Sequence, residues 1–275
     1  MSANSGDCSS HNIGEMNTPI SLTPAEIHLW LAFYDEITDE RLLSDYRALL
    51  NQDEKEQQSR FYFARDRLRY LVTRALVRTV LSRYALIDPR EWVFSTNAYG
   101  CPKIANAQVR EEYLSFNISH THSLIVLGVT RRRALGVDVE NCRAREVSID
   151  IADRFFAPAE VTALSGVPPH QQQYRFFEYW TFKESYIKAR GMGLSLPLDK
   201  FSFHYAHDRA VEIAIDPELA DDAARWQFWQ FQPRPEYLAA ICAERVEQPT
   251  KLIVRQAVPM QSEKSFIPEF LRISR

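Results

Sequence analysis

The sequence predicts an α+β fold built as a pseudo-twofold duplication: two similar α/β halves, each a small, mostly antiparallel sheet packed on one long helix. Three observations carry this reading. Residues 60–84 and 171–190 form two long helical segments. Short runs rich in β-branched and aromatic residues surround them, separated by turn residues. Each half of the chain places such runs beside one of the two helices.

The elements follow in order. Residues 1–24 are polar, without a basic start or an apolar centre, and read as a disordered leader. HLWLAFYD (28–35) reads as a strand. In the helix over 60–84, Leu68, Leu71, Val72, Ala75, Leu76 and Val80 form a core-facing stripe, opposite a side rich in arginine. Turn residues NAYGCP (97–102) precede strands at 114–119 and 123–130, linked by His120, Thr121 and His122; Arg131, Arg132 and Arg133 read as a hairpin tip. ALGVDVE (134–140) is a further strand, and Gly191 and Gly193 stop the second helix. FSFHYA, VEIAID, WQFWQF and YLAAICAE read as an antiparallel set, and residues after 250 show no pattern. The expected organisation is a leader at 1–24, an N-terminal half at 25–133, a C-terminal half with a metal site at 134–250, and a tail at 251–275.

Composition limits the function. The chain has 275 residues, 45% of them hydrophobic, enough for a sizeable core. A net charge of -3 gives no global case for binding nucleic acid or an anionic membrane. Cys8, Cys101, Cys142 and Cys242 are widely spaced, with no metal-ligand pattern, which fits a reducing, cytoplasmic setting. No apolar run is long enough to span a bilayer.

Two constellations carry chemistry. In a strand, Asp138 and Glu140 project to one side while Val137 and Val139 project to the other. Two acids that close call for a cation or a proton, and carboxylate oxygens suit Mg²⁺; a solvated strand edge is the competing reading. In WTFKESYIKARG (180–191), Trp180, Glu184 and Lys188 fall near one helix face. Glu184 and Lys188 are then either an ordinary exposed pair or a proton acceptor and a phosphate contact beside the first two acids.

GVDVE, FKESYIKARGMGLSLPLDKFSF, YGCPKI and FNISHT together resemble the 4′-phosphopantetheinyl transferases of the larger, surfactin-synthetase type, over roughly residues 28–245. The resemblance implies transfer of phosphopantetheine from coenzyme A to a serine of an apo acyl or peptidyl carrier protein, releasing 3′,5′-ADP. It implies Mg²⁺, or Mn²⁺, held by Asp138, Glu140 and Glu184, with Glu184 as ligand or base. Lys188 would contact the pyrophosphate. Lys103, Ser119, His120 and Arg69 would contact the adenosine-phosphate end, and Glu160 would lie near the reacting centre. Between 51 and 60, where relatives often carry more basic residues, only Lys55 and Arg60 are basic. The resemblance also implies a monomer with its site between the halves. A non-catalytic binder of coenzyme A or carrier proteins on the same fold is the alternative; a nucleic-acid binder is disfavoured by the acidic balance.

Overall fold

The structure is a computed structural model and describes residues 20–109, 113–144, 146–147, 149–207 and 209–274. Residues 1–19 of the expected leader lie outside the described residues. Residues 20–24 belong to the fold: the Ile20 N–H donates to the Arg83 carbonyl at 2.6 Å, and Leu22 is buried.

The chain forms β1 (Glu26–Phe33), α1 (Glu40–Leu49), α2 (Gln52–Arg60), α3 (Ala64–Leu81), β2 (Phe94–Thr96), β3 (Pro102–Ile104), β4 (Ser115–His120) and β5 (Leu124–Thr130). β6 (Leu135–Asn141), α4 (Ala152–Phe155), α5 (Pro158–Ser165), α6 (Pro169–Arg190), β7 (Phe201–His207), β8 (Ala210–Ile215), β9 (Trp226–Phe231) and β10 (Tyr237–Glu244) follow. The last strands are β11 (Lys251–Val258), β12 (Ser262–Phe266) and β13 (Phe270–Ile273). One sheet has the order β12-β11-β1-β5-β4 and a second the order β6-β10-β9-β13-β8-β7.

The two sheets face each other, and each carries a long helix on its other face. Side-chain alternation builds these layers. On β1, Leu29 and Leu31 enter the core between the sheets with Val137, Val139 and Ile241, whereas Trp30 and Ala32 pack with Leu71, Val72 and Leu76 of α3. On β10, Ala239 and Ile241 face the first sheet, while Leu238 and Ala240 join Phe182 and Tyr186 of α6. Strands buried on both faces read as continuous apolar runs, which is why β1, β5 and β10 lack polar alternation.

Three expectations are corrected. The helix expected over 60–84 is shorter: α3 spans Ala64–Leu81, and Arg60 instead closes the separate helix α2, with Phe61 and Phe63 extended between them. Arg67 Nη1 stabilises the break by donating to the Phe61 and Tyr62 carbonyls at 2.8 and 3.1 Å. Arg131, Arg132 and Arg133 do not tip a hairpin, because β5 and β6 lie in different sheets; this turn hands the chain across, with Arg132 at φ 56 and Arg133 buried. The stretch expected as a patternless tail forms β11, parallel to β1, and β13, inserted between β9 and β8. Its pattern is obscured because Arg272 of β13 is buried, with Nε and Nη2 bonded to Glu178 of α6 at 3.1 and 3.0 Å.

Candidate active site

Gly136 lets α6 lie directly on β6. A Cβ at that position would fall 1.9 Å from the Ser185 carbonyl oxygen and 2.4 Å from the Ala189 nitrogen. The helix backbone therefore occupies the space a side chain would need. Gly136, Asp138 and Glu140 share this face of the strand, so the acids meet the part of α6 that carries Glu184 and Lys188.

β6 is an edge strand of its sheet, and side chains of β4 in the other sheet and of Thr121 just after it satisfy its open edge. Asn117 Oδ1, Ser119 Oγ and Thr121 Oγ1 accept from the N–H groups of Val137, Val139 and Asn141 at 2.9, 3.3 and 3.1 Å. Three alternate side chains thus serve three alternate backbone donors. This ladder fixes the acid-bearing strand against the other sheet, and it explains the polar alternation of FNISHT. Asn117, Thr121 and Gly136 were not singled out from sequence; the signal was the period of two in a stretch read only as a strand.

Lys188 closes the centre of the site. Its ammonium donates to Asp138 Oδ1 at 2.7 Å, Ser119 Oγ at 2.8 Å and the Val137 carbonyl at 3.1 Å, which uses its three protons. Ser119 Oγ in turn lies 2.9 Å from Asp138 Oδ1. Asp138 Oδ2 is buried and has no hydrogen-bond partner. Burial and the nearby Asp138 charge raise the Glu184 carboxyl above its ordinary pKa, against a lowering by Lys188. Glu140 is half-buried on the same strand face. Among the described residues, no three His, Cys, Asp or Glu side chains converge as a ready-formed metal centre. The orphaned Asp138 oxygen and the raised Glu184 nonetheless fit a hard divalent cation, because both carboxylates lack full neutralisation by Lys188.

Around this centre the basic residues expected at a phosphate site divide into two places. Lys103 and Lys188 line one cavity of about 300 Å³, together with Asn97, Cys101, Asn117 and Gly191. His120 projects from the opposite face of β4 to Ser119 and is exposed. Partial desolvation and the Arg69 guanidinium lower its pKa, with a further contribution from Lys188. Arg69 on α3 is half-buried and pairs with Asp66 at 3.2 Å. Glu160 is not brought to this cluster. It is fully buried, with Oε2 2.7 Å from Lys183 Nζ and Oε1 accepting from the Phe203 N–H at 2.9 Å. Lys183 also donates to the Leu198 and Phe201 carbonyls, so the pair ties α5 and α6 to β7.

The comparisons divide at the turn where the chain changes sheets. Residues 38–131 match a 4′-phosphopantetheinyl transferase N-terminal model, and residues 134–242 match the 4′-phosphopantetheinyl transferase superfamily model. The chain is 32% identical over 225 residues to the 4′-phosphopantetheinyl transferase HetI of Nostoc sp., covering 81% of this chain and 89% of that one. It is 33% identical over 204 residues to the 4′-phosphopantetheinyl transferase Sfp of Bacillus subtilis, covering 74% and 86%. A further 4′-phosphopantetheinyl transferase of Bacillus subtilis is 36% identical over 196 residues, covering 71% and 83%. With matches on both sides of the sheet-to-sheet turn and relatives spanned over most of their length, the chain belongs to the 4′-phosphopantetheinyl transferase superfamily, Sfp-like type.

Proposed function

We propose that this protein transfers 4′-phosphopantetheine from coenzyme A to a serine hydroxyl of apo acyl or peptidyl carrier proteins, releasing 3′,5′-ADP. The observation that carries the reading is the Asp138–Glu184–Lys188 cluster, with a buried carboxylate oxygen left unpartnered beside a carboxyl of raised pKa. Asp138, Glu140 and Glu184 are the residues that would hold Mg²⁺. When bound, Mg²⁺ supplies charge stabilisation for the pyrophosphate.

The chain's own groups supply the rest. Lys188 sits where its ammonium can exchange a bond to Ser119 or Val137 for one to a phosphate oxygen while keeping Asp138. Lys103 faces the same cavity and adds positive charge toward the adenosine-phosphate end, with Arg69 and His120 beyond β4. Glu184, whose environment favours the protonated form, is suited to accept the serine proton as the hydroxyl oxygen attacks phosphorus and the bond to the leaving phosphate breaks. Glu160 has no part in this mechanism, since Lys183 and two backbone N–H groups occupy its oxygens. We further assign the activity to a monomer acting between its two sheets.

The test is intact mass spectrometry of apo carrier proteins incubated with the chain, coenzyme A and Mg²⁺. A gain of one phosphopantetheine that EDTA abolishes supports the reading. Coenzyme A binding without a gain on any carrier would replace it with the non-catalytic binding protein.

A further inference from the structure

We propose that Asn97 is a positioning residue for coenzyme A: its side chain stitches the loop leading to Lys103 onto the carboxyl end of α6 and so sets the gap between Lys103 and Lys188. The inference rests on the reading of this cavity as a coenzyme A site.

Asn97 bonds in both directions. Its Oδ1 accepts from the Tyr99 and Cys101 N–H groups at 2.9 and 3.0 Å, which folds the loop into an Asx-type turn. Its Nδ2 donates to the Gly191 carbonyl at 2.8 Å, just past the end of α6, and both residues line the same cavity as Lys103 and Lys188. The helix end is shaped to receive the loop. Gly191 and Gly193 have φ of 64 and 57; a Cβ on Gly191 would lie 3.5 Å from Asn97 Nδ2, and one on Gly193 would lie 3.4 Å from the Tyr99 carbonyl oxygen. β2 and β3 form a separate two-stranded sheet, so neither large sheet's ladder sets the place of Lys103 relative to α6. The Asn97 bond is a direct link between the two walls. One neutral hydrogen bond at such a junction corresponds to an effect of about fivefold.

The experiment measures coenzyme A binding by titration calorimetry, and transfer kinetics, for the full chain with Mg²⁺. Asn97→Ser is the informative variant: it adds no charge, keeps an oxygen for the turn, and is too short to reach Gly191. The expected result is a Kd and KM for coenzyme A raised about fivefold, with kcat at saturation within about twofold. In a Lys103→Ala background the same substitution is expected to change Kd less than about twofold, because the group it positions is gone. An Asn97→Ser chain that binds like wild type would overturn the inference. So would an unchanged penalty in the Lys103→Ala background, or a Lys103→Ala chain that itself binds like wild type. If the wild-type chain neither bound coenzyme A nor modified a carrier, the functional reading itself would fall.

Discussion

The contact between Gly136 and α6 gives the sharpest test of how the fold holds the site. A Cβ at 136 would meet two main-chain atoms at 1.9 and 2.4 Å, where ordinary contact begins at 3.4 Å. No side chain can swing away, so in Gly136→Ala the helix must retreat by roughly 1.5 Å at Ser185. Overpacking typically costs about 1 to 3 kcal/mol, and a clash with helix backbone belongs at the upper end, about 3 kcal/mol. In a chain of this size that corresponds to a Tm lowered by about 6 to 12 °C. Ser185 and Ala189 flank the residues that matter, so the same retreat pulls Glu184 and Lys188 away from Asp138. A displacement near 1 Å at a reacting centre can cost about 100-fold in rate. Thermal unfolding and initial transfer rates check both effects. A variant melting within about 2 °C of wild type and retaining its rate would refute the close packing of α6 on β6.

Four further outcomes are expected. Glu184→Gln should lower transfer about 10²- to 10⁴-fold yet raise Tm at pH 8, since a folded-state carboxyl pKa above the ordinary value means that ionising Glu184 disfavours the folded state; a lower Tm would contradict this. Burial, with Arg255 nearby, lowers the His28 imidazole to about 4. The unfolded chain takes up that proton first, so stability falls as pH drops from about 6.5 toward 4, by about 3 kcal/mol in all, and urea unfolding of His28→Gln should show a flatter profile over that window. Arg272→Met should cost about 2 kcal/mol, less than a fully orphaned buried acid, because Arg175 still pairs with Glu178 at 2.6 Å. A chain ending after Val258 should fail to unfold cooperatively in calorimetry, because β13 no longer joins β9 to β8.

What the sequence made legible is what depends on local period. GVDVE placed Asp138 and Glu140 on one face because strand alternation is set by the backbone, and Val137 and Val139 went to the other. The stripe of α3 and the stop at Gly191 followed from helix geometry in the same way. Long-range partners were not legible. WTFKES holds Lys183 and Glu184 side by side, and adjacent helical residues point about 100° apart. One therefore enters a buried pair with Glu160 and the other faces Asp138, a division that depends on which elements pack on each side. β11 pairs with β1 from the opposite end of the chain, and its mixed polar pattern carries no mark of that pairing. The Lys188 bonds to Asp138 and Ser119 likewise join three separate elements.

Whether Asp138 carries the chemistry is decided by comparing wild type with Asp138→Asn, matched for folding by circular dichroism, in the carrier-protein mass assay with coenzyme A and Mg²⁺. Wild type is expected to place phosphopantetheine on the carrier and the variant to do so at a rate lowered by at least about 100-fold, because the amide cannot supply the charge that the buried Asp138 oxygen brings to the site. Transfer by Asp138→Asn at the wild-type rate would contradict this role.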